Sequence, residues 1–179
     1  MKSKKILFAV FALVIFVVPA FIIFGSEDIL ENGHLHKLQL RGYDPFDPFR
    51  GKYLRLSYDD MISCDESLKE GDMAYVTLEK DSLGFSFFSY ASSTKPDHDD
   101  YIEAEMLYVG GGMATIKIDN LTKYFINEDK AYEAELILRD FRQERPEDLY
   151  VAVRVLNGEA RLEDIFVEET PLLEYLEKH

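Results

Sequence analysis

Two aspartates and an arginine fall within one short stretch, Asp44, Asp47 and Arg50, inside the run GYDPFDPFRGKYLRLSY at residues 42–58. Paired carboxylates beside a guanidinium are the residue types that hold a cation or carry hydrolytic acid–base chemistry. Each aspartate precedes a proline, Asp44-Pro45-Phe46 and Asp47-Pro48-Phe49. Each proline fixes its own φ and pushes the aspartate before it out of the α region, while Asp side chains bond nearby backbone amides in turns. The stretch therefore reads first as a stiff turn fastening one strand to the next, and second as a binding loop. Two aspartates are a poor calcium site, since that ion takes six to eight oxygens. A second candidate set is His34 and His36, which share one side of a strand, with Asp97-His98-Asp99-Asp100 offering further metal-ligand types. A solvated polar loop and an ordinary strand edge account for these residues as well. Ser57, Ser63 and Cys64 are possible nucleophiles, but no Gly-x-Ser-x-Gly and no Cys/His spacing of a known kind accompanies them. Gly110-Gly111-Gly112 lacks the lysine and helix start of a phosphate loop. No catalytic residue, metal or cofactor is assigned on this pattern.

The elements that must position these residues are mostly strands. Period-2 alternation places His36, Leu38 and Leu40 on one face, then Leu54, Leu56 and Tyr58, then Ala74, Val76 and Leu78. Leu83 to Tyr90 is an aromatic strand whose alternation slips at Phe87-Phe88, as a bulge would cause. Ile102, Ala104, Met106 and Tyr108 are expected on one face of the next strand, and Ala114, Ile116 and Ile118 on that of its successor. A short strand is expected over Leu121 to Ile126. Ala134, Ile137, Leu138 and Phe141 instead follow helical spacing, with Asn127 as N-cap and Pro146 closing the helix. Val151, Val153 and Val155 lead into Asn157-Gly158, the strongest hairpin signal in the chain, and the return strand runs from Ala160 to Val167. Pro171 to Lys178 suits a short terminal helix. The expected fold class is mainly β (α+β): an N-terminal transmembrane helix, then a β-barrel or two-layer β domain with one amphipathic helix and a C-terminal hairpin.

The N-terminus decides location. Ile6 to Phe24 is 19 residues without a charge, close to the length that crosses a bilayer core as a helix. It exceeds the h-region of a signal peptide and lacks a clean small-residue cleavage site, so an uncleaved signal anchor is preferred to a cleaved leader. Lys2, Lys4 and Lys5 keep the N-terminus in the cytoplasm. The expected division is a stub at 1–5, an anchor at 6–24, a linker at 25–33, an extracytoplasmic β domain at 34–168 and a tail at 169–179. The chain holds 20 basic and 34 acidic residues, net −14; with three of the basic residues ahead of the anchor, the exported part carries 17 against 34, or −17. That charge excludes a nucleic-acid footprint. One cysteine, Cys64, excludes a disulfide scaffold.

Gly51-Lys52-Tyr53-Leu54-Arg55-Leu56-Ser57-Tyr58 resembles the motif of the GDYXXLXY-domain family of bacterial membrane-anchored proteins, with Lys52 where that motif has aspartate. The Arg-Gly before it, the run Gly71-Asp72-Met73-Ala74-Tyr75-Val76-Thr77-Leu78 and Tyr124-Phe125-Ile126-Asn127-Glu128 are similar to further segments of that family, over roughly residues 34–168. The resemblance implies a single-pass protein of the bacterial cytoplasmic membrane, N-terminus inside, with a polytopic membrane protein as partner besides the bilayer itself. It implies no catalytic residues. Asp44, Asp47, Arg50, Gly51, Tyr53, Leu56 and Tyr58 are then the candidate binding or structural loop. The expected function is a non-enzymatic extracytoplasmic interaction domain, the alternative a metal-dependent or hydrolytic enzyme using Asp44, Asp47 and Arg50.

Overall fold

The computed structural model describes residues 11, 13, 15–17, 19, 24–44 and 53–178, with 42–44 given by their backbone alone. Alternation of apolar and polar residues produces most of the elements. Five strands close on themselves: β4 (Met61–Cys64), β5 (Met73–Lys80), β6 (Ser86–Ser92), β7 (Tyr101–Gly110) and β8 (Met113–Lys117). Around this barrel the order is β6-β4-β8-β7-β5, with β5 pairing back onto β6, so none of the five is left with an open edge on the ring. Ile62, Val76, Leu78, Phe88, Ile102, Met106 and Ile116 fill the interior. A flange leaves β6 through β1 (His34–Leu38), which lies antiparallel to β10 (Leu149–Leu156) and is followed outward by β11 (Glu159–Val167) and β12 (Thr170–Pro171). A separate sheet orders β2 (Gly42–Asp44), β3 (Tyr53–Ser57) and β9 (Lys123–Phe125).

The helix α1 (Glu128–Glu144) begins after Asn127, whose side chain makes no capping bond, and buries Ala131, Ala134, Leu138 and Phe141. α2 (Leu172–Lys178) packs beside it, with Phe141 and Tyr175 rings 5.7 Å apart. The β10–β11 hairpin turns at Asn157 (φ 52°) and Gly158 (φ 86°), the two positive φ values a type I′ turn requires. β10 is buried on both faces: Val151, Val153 and Val155 join the main core, while Tyr150 stacks on Phe166 at 5.2 Å and meets Phe85 on the other side.

Several expectations are corrected. The aromatic strand does bulge, but the pairing jumps from Thr77–Tyr90 to Leu78–Phe88, which puts the extra residue at Ser89. A second shift between Met106 and Tyr108 turns Tyr108 outward, 59% exposed, instead of onto the face of Ile102, Ala104 and Met106. Ile118 falls outside β8, and the strand expected from Leu121 is three residues long because Asp119–Leu121 forms a 3-10 turn first. His34 and His36 do share a side of β1, both reaching the same Asp100 oxygen, but His34 is exposed and His36 is buried. Phe24 and residues 25–32 of the expected linker are helical. Of the expected anchor, residues 6–10, 12, 14, 18 and 20–23 lie outside the described residues. Among the described residues no helix is long and apolar enough to cross a membrane.

Candidate functional site

The strand that carries the motif is half inside. Leu54 and Leu56 are buried and Tyr58, just past the end of β3, follows them, while Tyr53, Arg55 and Ser57 take the outer face, as alternation dictates. Tyr58 donates its hydroxyl hydrogen bond to the Leu121 carbonyl at 2.8 Å, and burial pushes its phenol far above the ordinary value. Tyr53 meets Phe125 of β9 at 5.9 Å. On the other side, Asp44 of β2 is in register with Arg55. Asp47, Arg50 and Gly51 lie outside the described residues. The described part of the motif therefore clamps three strands through its apolar positions, and its three buried side chains, Leu54, Leu56 and Tyr58, are packing elements.

The histidines meet one of the acids with which they were grouped. His34 Nδ1 lies 3.1 Å from Asp100 Oδ1, and His36 Nε2 lies 3.3 Å from the same oxygen. The other ring nitrogen of His36, Nδ1, is 3.0 Å from Ser86 Oγ on β6. Sequence alone did not pick out Ser86; its only signal was a small polar residue among the aromatics of LGFSFFSY. Nε2 of His36 is buried and makes no hydrogen bond among the described residues. Burial holds this imidazole below its ordinary pKa, and Lys80 and His34 act the same way against the pull of Asp100. Asp100 is drawn below the ordinary carboxylate value by both histidines and Lys80, against the opposing effect of its own burial. A Ser–His–Asp set invites a hydrolytic reading. Ser86 is only 4% exposed, however, and the hollow of about 150 Å³ that it borders is below the roughly 300–1,000 Å³ of ligand pockets. The set fastens β1 to β6 and to the loop before β7. Asp97, His98 and Asp99 stay exposed, and among the described residues no group of three His, Cys, Asp or Glu side chains is placed to hold a metal ion.

A larger cleft, about 370 Å³, opens at the seam between barrel and flange. Its walls are β7, the 3-10 turn and the hairpin tip, where Gly158 bridges Ile102 and its carbonyl accepts from Glu103 N–H at 2.8 Å. Only glycine fits there: a Cβ at Gly158 would lie 2.8 Å from the Tyr101 ring and 3.0 Å from Glu103 Cγ. Ser63 and Cys64 stand elsewhere, at the end of β4. Ser63 reaches Met113 Sδ, and Cys64 is buried with its thiol pushed up by that burial.

A family model described as GDYXXLXY protein matches residues 15–165, a span that takes in the barrel, the three-stranded sheet and most of the flange. The chain belongs to the GDYXXLXY family. No curated protein and no solved structure matched it. In the GDYXXLXY motif of this member, the positions from Tyr53 to Tyr58 are the ones whose structure is described, while Lys52, the departure from the family's aspartate, lies outside the described residues.

Proposed function

We propose that the chain is a single-pass protein of the bacterial cytoplasmic membrane, anchored through residues 6–24, whose acidic β domain works outside the cytoplasm as a non-enzymatic interaction module for a polytopic membrane protein. The observation that supports it most is how the apolar run is joined to the domain. Residues 24–32 continue as helix, Ile29 is 4% exposed, and Gly33 N–H donates to the Ile29 carbonyl at 2.9 Å where the chain turns into β1. Arg154 reaches the Gly33 carbonyl at 3.2 Å and Arg161 reaches Ser26 at 3.5 Å. A domain held this closely to the end of an uncharged 19-residue run keeps a fixed stance relative to it, which suits a module that meets a membrane partner at a set height. Its charge of −17 repels anionic headgroups, so it stands off the bilayer.

The test uses the full-length chain with Cys64→Ser as background and single cysteines at Ser3 or Asp97. In intact cells a membrane-impermeant maleimide labels Asp97→Cys, and Ser3→Cys reacts only after permeabilisation. Labelling of both in intact cells, or of neither until the cells are opened, overturns the topology. Affinity purification of the detergent-solubilised chain from its native cells then recovers a multi-span protein in stoichiometric amount; a clean monomer sinks the partner half of the reading.

A further inference from the structure

Resting on that placement outside the cytoplasm, we propose that the seam cleft is the docking site for an arginine or lysine side chain on an outward-facing loop of the membrane partner. The cleft has the volume of a ligand site, and the buried residues Ile102, Ala104, Leu121 and Ala160 are among those that border it. Its rim is charged, with the carboxylates of Glu103, Glu105, Asp119 and Glu159 against the cations Lys117 and Arg161. Lys117 is shared by two acids, at 3.1 Å from Glu105 and 3.6 Å from Asp119. Arg161 is turned to Glu159 at 3.2 Å and to Ser26. Glu103 has no hydrogen bond or ion pair from its side chain among the described residues; Lys95, held over the Tyr101 ring, feels its charge from farther off. The rim is thus short of two positive charges, and a long side chain with a cationic head satisfies it.

The position of the cleft selects the source. Arg161 joins its rim to Ser26, two residues beyond the end of the uncharged run. An occupant must therefore come from something that stands beside the anchor. A protein loop does so with geometric choice, because the guanidinium fork can take Glu103 and a second rim oxygen together. The hairpin tip closes one wall of the cleft, with the Gly158 carbonyl accepting a backbone hydrogen bond from Glu103 N–H of β7.

The experiment is an NMR titration of the ¹⁵N-labelled full-length chain in phosphatidylcholine nanodiscs. The probes are the peptide acetyl-Gly-Arg-Gly-amide and its citrulline counterpart, which keeps shape and loses charge. The arginine peptide shifts amides in 102–105, 117–121 and 158–161, and the citrulline peptide leaves them in place. Glu103→Gln weakens the arginine response about tenfold, the scale of one charge-assisted hydrogen bond. Lys117→Gln strengthens it several-fold by releasing Glu105 and Asp119, a gain that a misfolded variant does not produce. Equal response to both peptides, no response to either, or shifts confined elsewhere overturns the proposal. So does movement of the same amides when phosphatidylethanolamine replaces phosphatidylcholine without peptide, which assigns the cleft to a lipid amine. The maleimide assay reads topology separately, so a correctly oriented chain that ignores arginine discards the docking site and leaves the anchoring.

Discussion

At the residue scale, the motif positions differ in what they cost when removed. Leu56 is 1% exposed in the core between β3 and α1. Leu56→Ala destabilises the full-length chain by about 3 kcal/mol through lost burial and the cavity left behind. In a domain of this size that lowers the thermal midpoint by about 6–12 °C in a detergent-solubilised melt. Tyr58→Phe keeps the ring and strands the Leu121 carbonyl, costing about 1–3 kcal/mol; an unchanged melt would show that water takes over that carbonyl. The histidine set makes the domain sensitive to acid. His36 has a folded pKa below its ordinary value, so the unfolded chain binds the extra proton more readily. Stability is therefore present above about pH 6.5 and declines as the pH falls through that value. Asp100 and Asp65 are depressed, Asp65 to about 2 by Tyr90, Ser92 and Ser93, so their contributions are present above about pH 4 and lost below it. A melt series from pH 8 to pH 3 shows the midpoint falling in two stages, and His36→Gln removes the upper one. A midpoint that rises between pH 7 and pH 5.5 would reverse the sign assigned to His36.

At the element scale, β-bulges and one hairpin decide which side chains reach the cleft. The shift after Met106 turns Tyr108 outward over Gly110, while the residues before it, Ile102 to Glu105, keep the register that builds the cleft wall. The hairpin closes the other wall. Gly158→Ala places a Cβ against the Tyr101 ring at a φ of +86°, which L residues rarely adopt, and costs about 1–3 kcal/mol. Its further consequence is local. Amide exchange quickens at Glu103 and along 158–161, because the Glu103–Gly158 hydrogen bond loosens first. Unaltered exchange at Glu103 would show that the seam holds without the tight turn.

At the scale of the whole molecule, barrel, flange and entry helix form a chain of contacts from the end of the apolar run to the cleft. Gly33 is the narrowest point, since an added Cβ there lies 2.4 Å from the Ile29 carbonyl oxygen and 3.1 Å from the Val155 backbone. Gly33→Val forces the entry helix off β10. In spin-labelled full-length chains, the distance distribution between residue 27 and residue 163 broadens as a result. A distribution as narrow as that of the unsubstituted chain would mean the helix is held by the rest of the interface. The charge of −17 belongs to this scale as well, and the cleft has a share of it, four carboxylates against two cations.

Alternation, one helical stripe and Asn157-Gly158 are local signals, so the strands from Met73 to Lys80 and from Leu149 to Val167, the helix Glu128–Glu144 and the buried faces of Leu54, Leu56 and Tyr58 were legible in the residues themselves. The family was legible too, because its motif is a strand whose inward positions repeat every second residue. The choice of a barrel over a two-layer sheet, and the order of its five strands, was not, since strand order depends on pairings between distant segments, such as β4 beside β6, that no local period encodes. Nor was the site. His36 meets Ser86 across 50 positions, and Gly158 reaches Ile102 and Glu103 from more than fifty positions away. The seam cleft exists only because a hairpin tip and a barrel strand are brought together by the fold. The amino-acid sequence by itself determined most of the elements, most of their buried faces and the split of charge, all of which are set within a few residues. Only tertiary structure decided which carboxylates share a cleft and which histidine is sealed from water, because both are consequences of long-range packing.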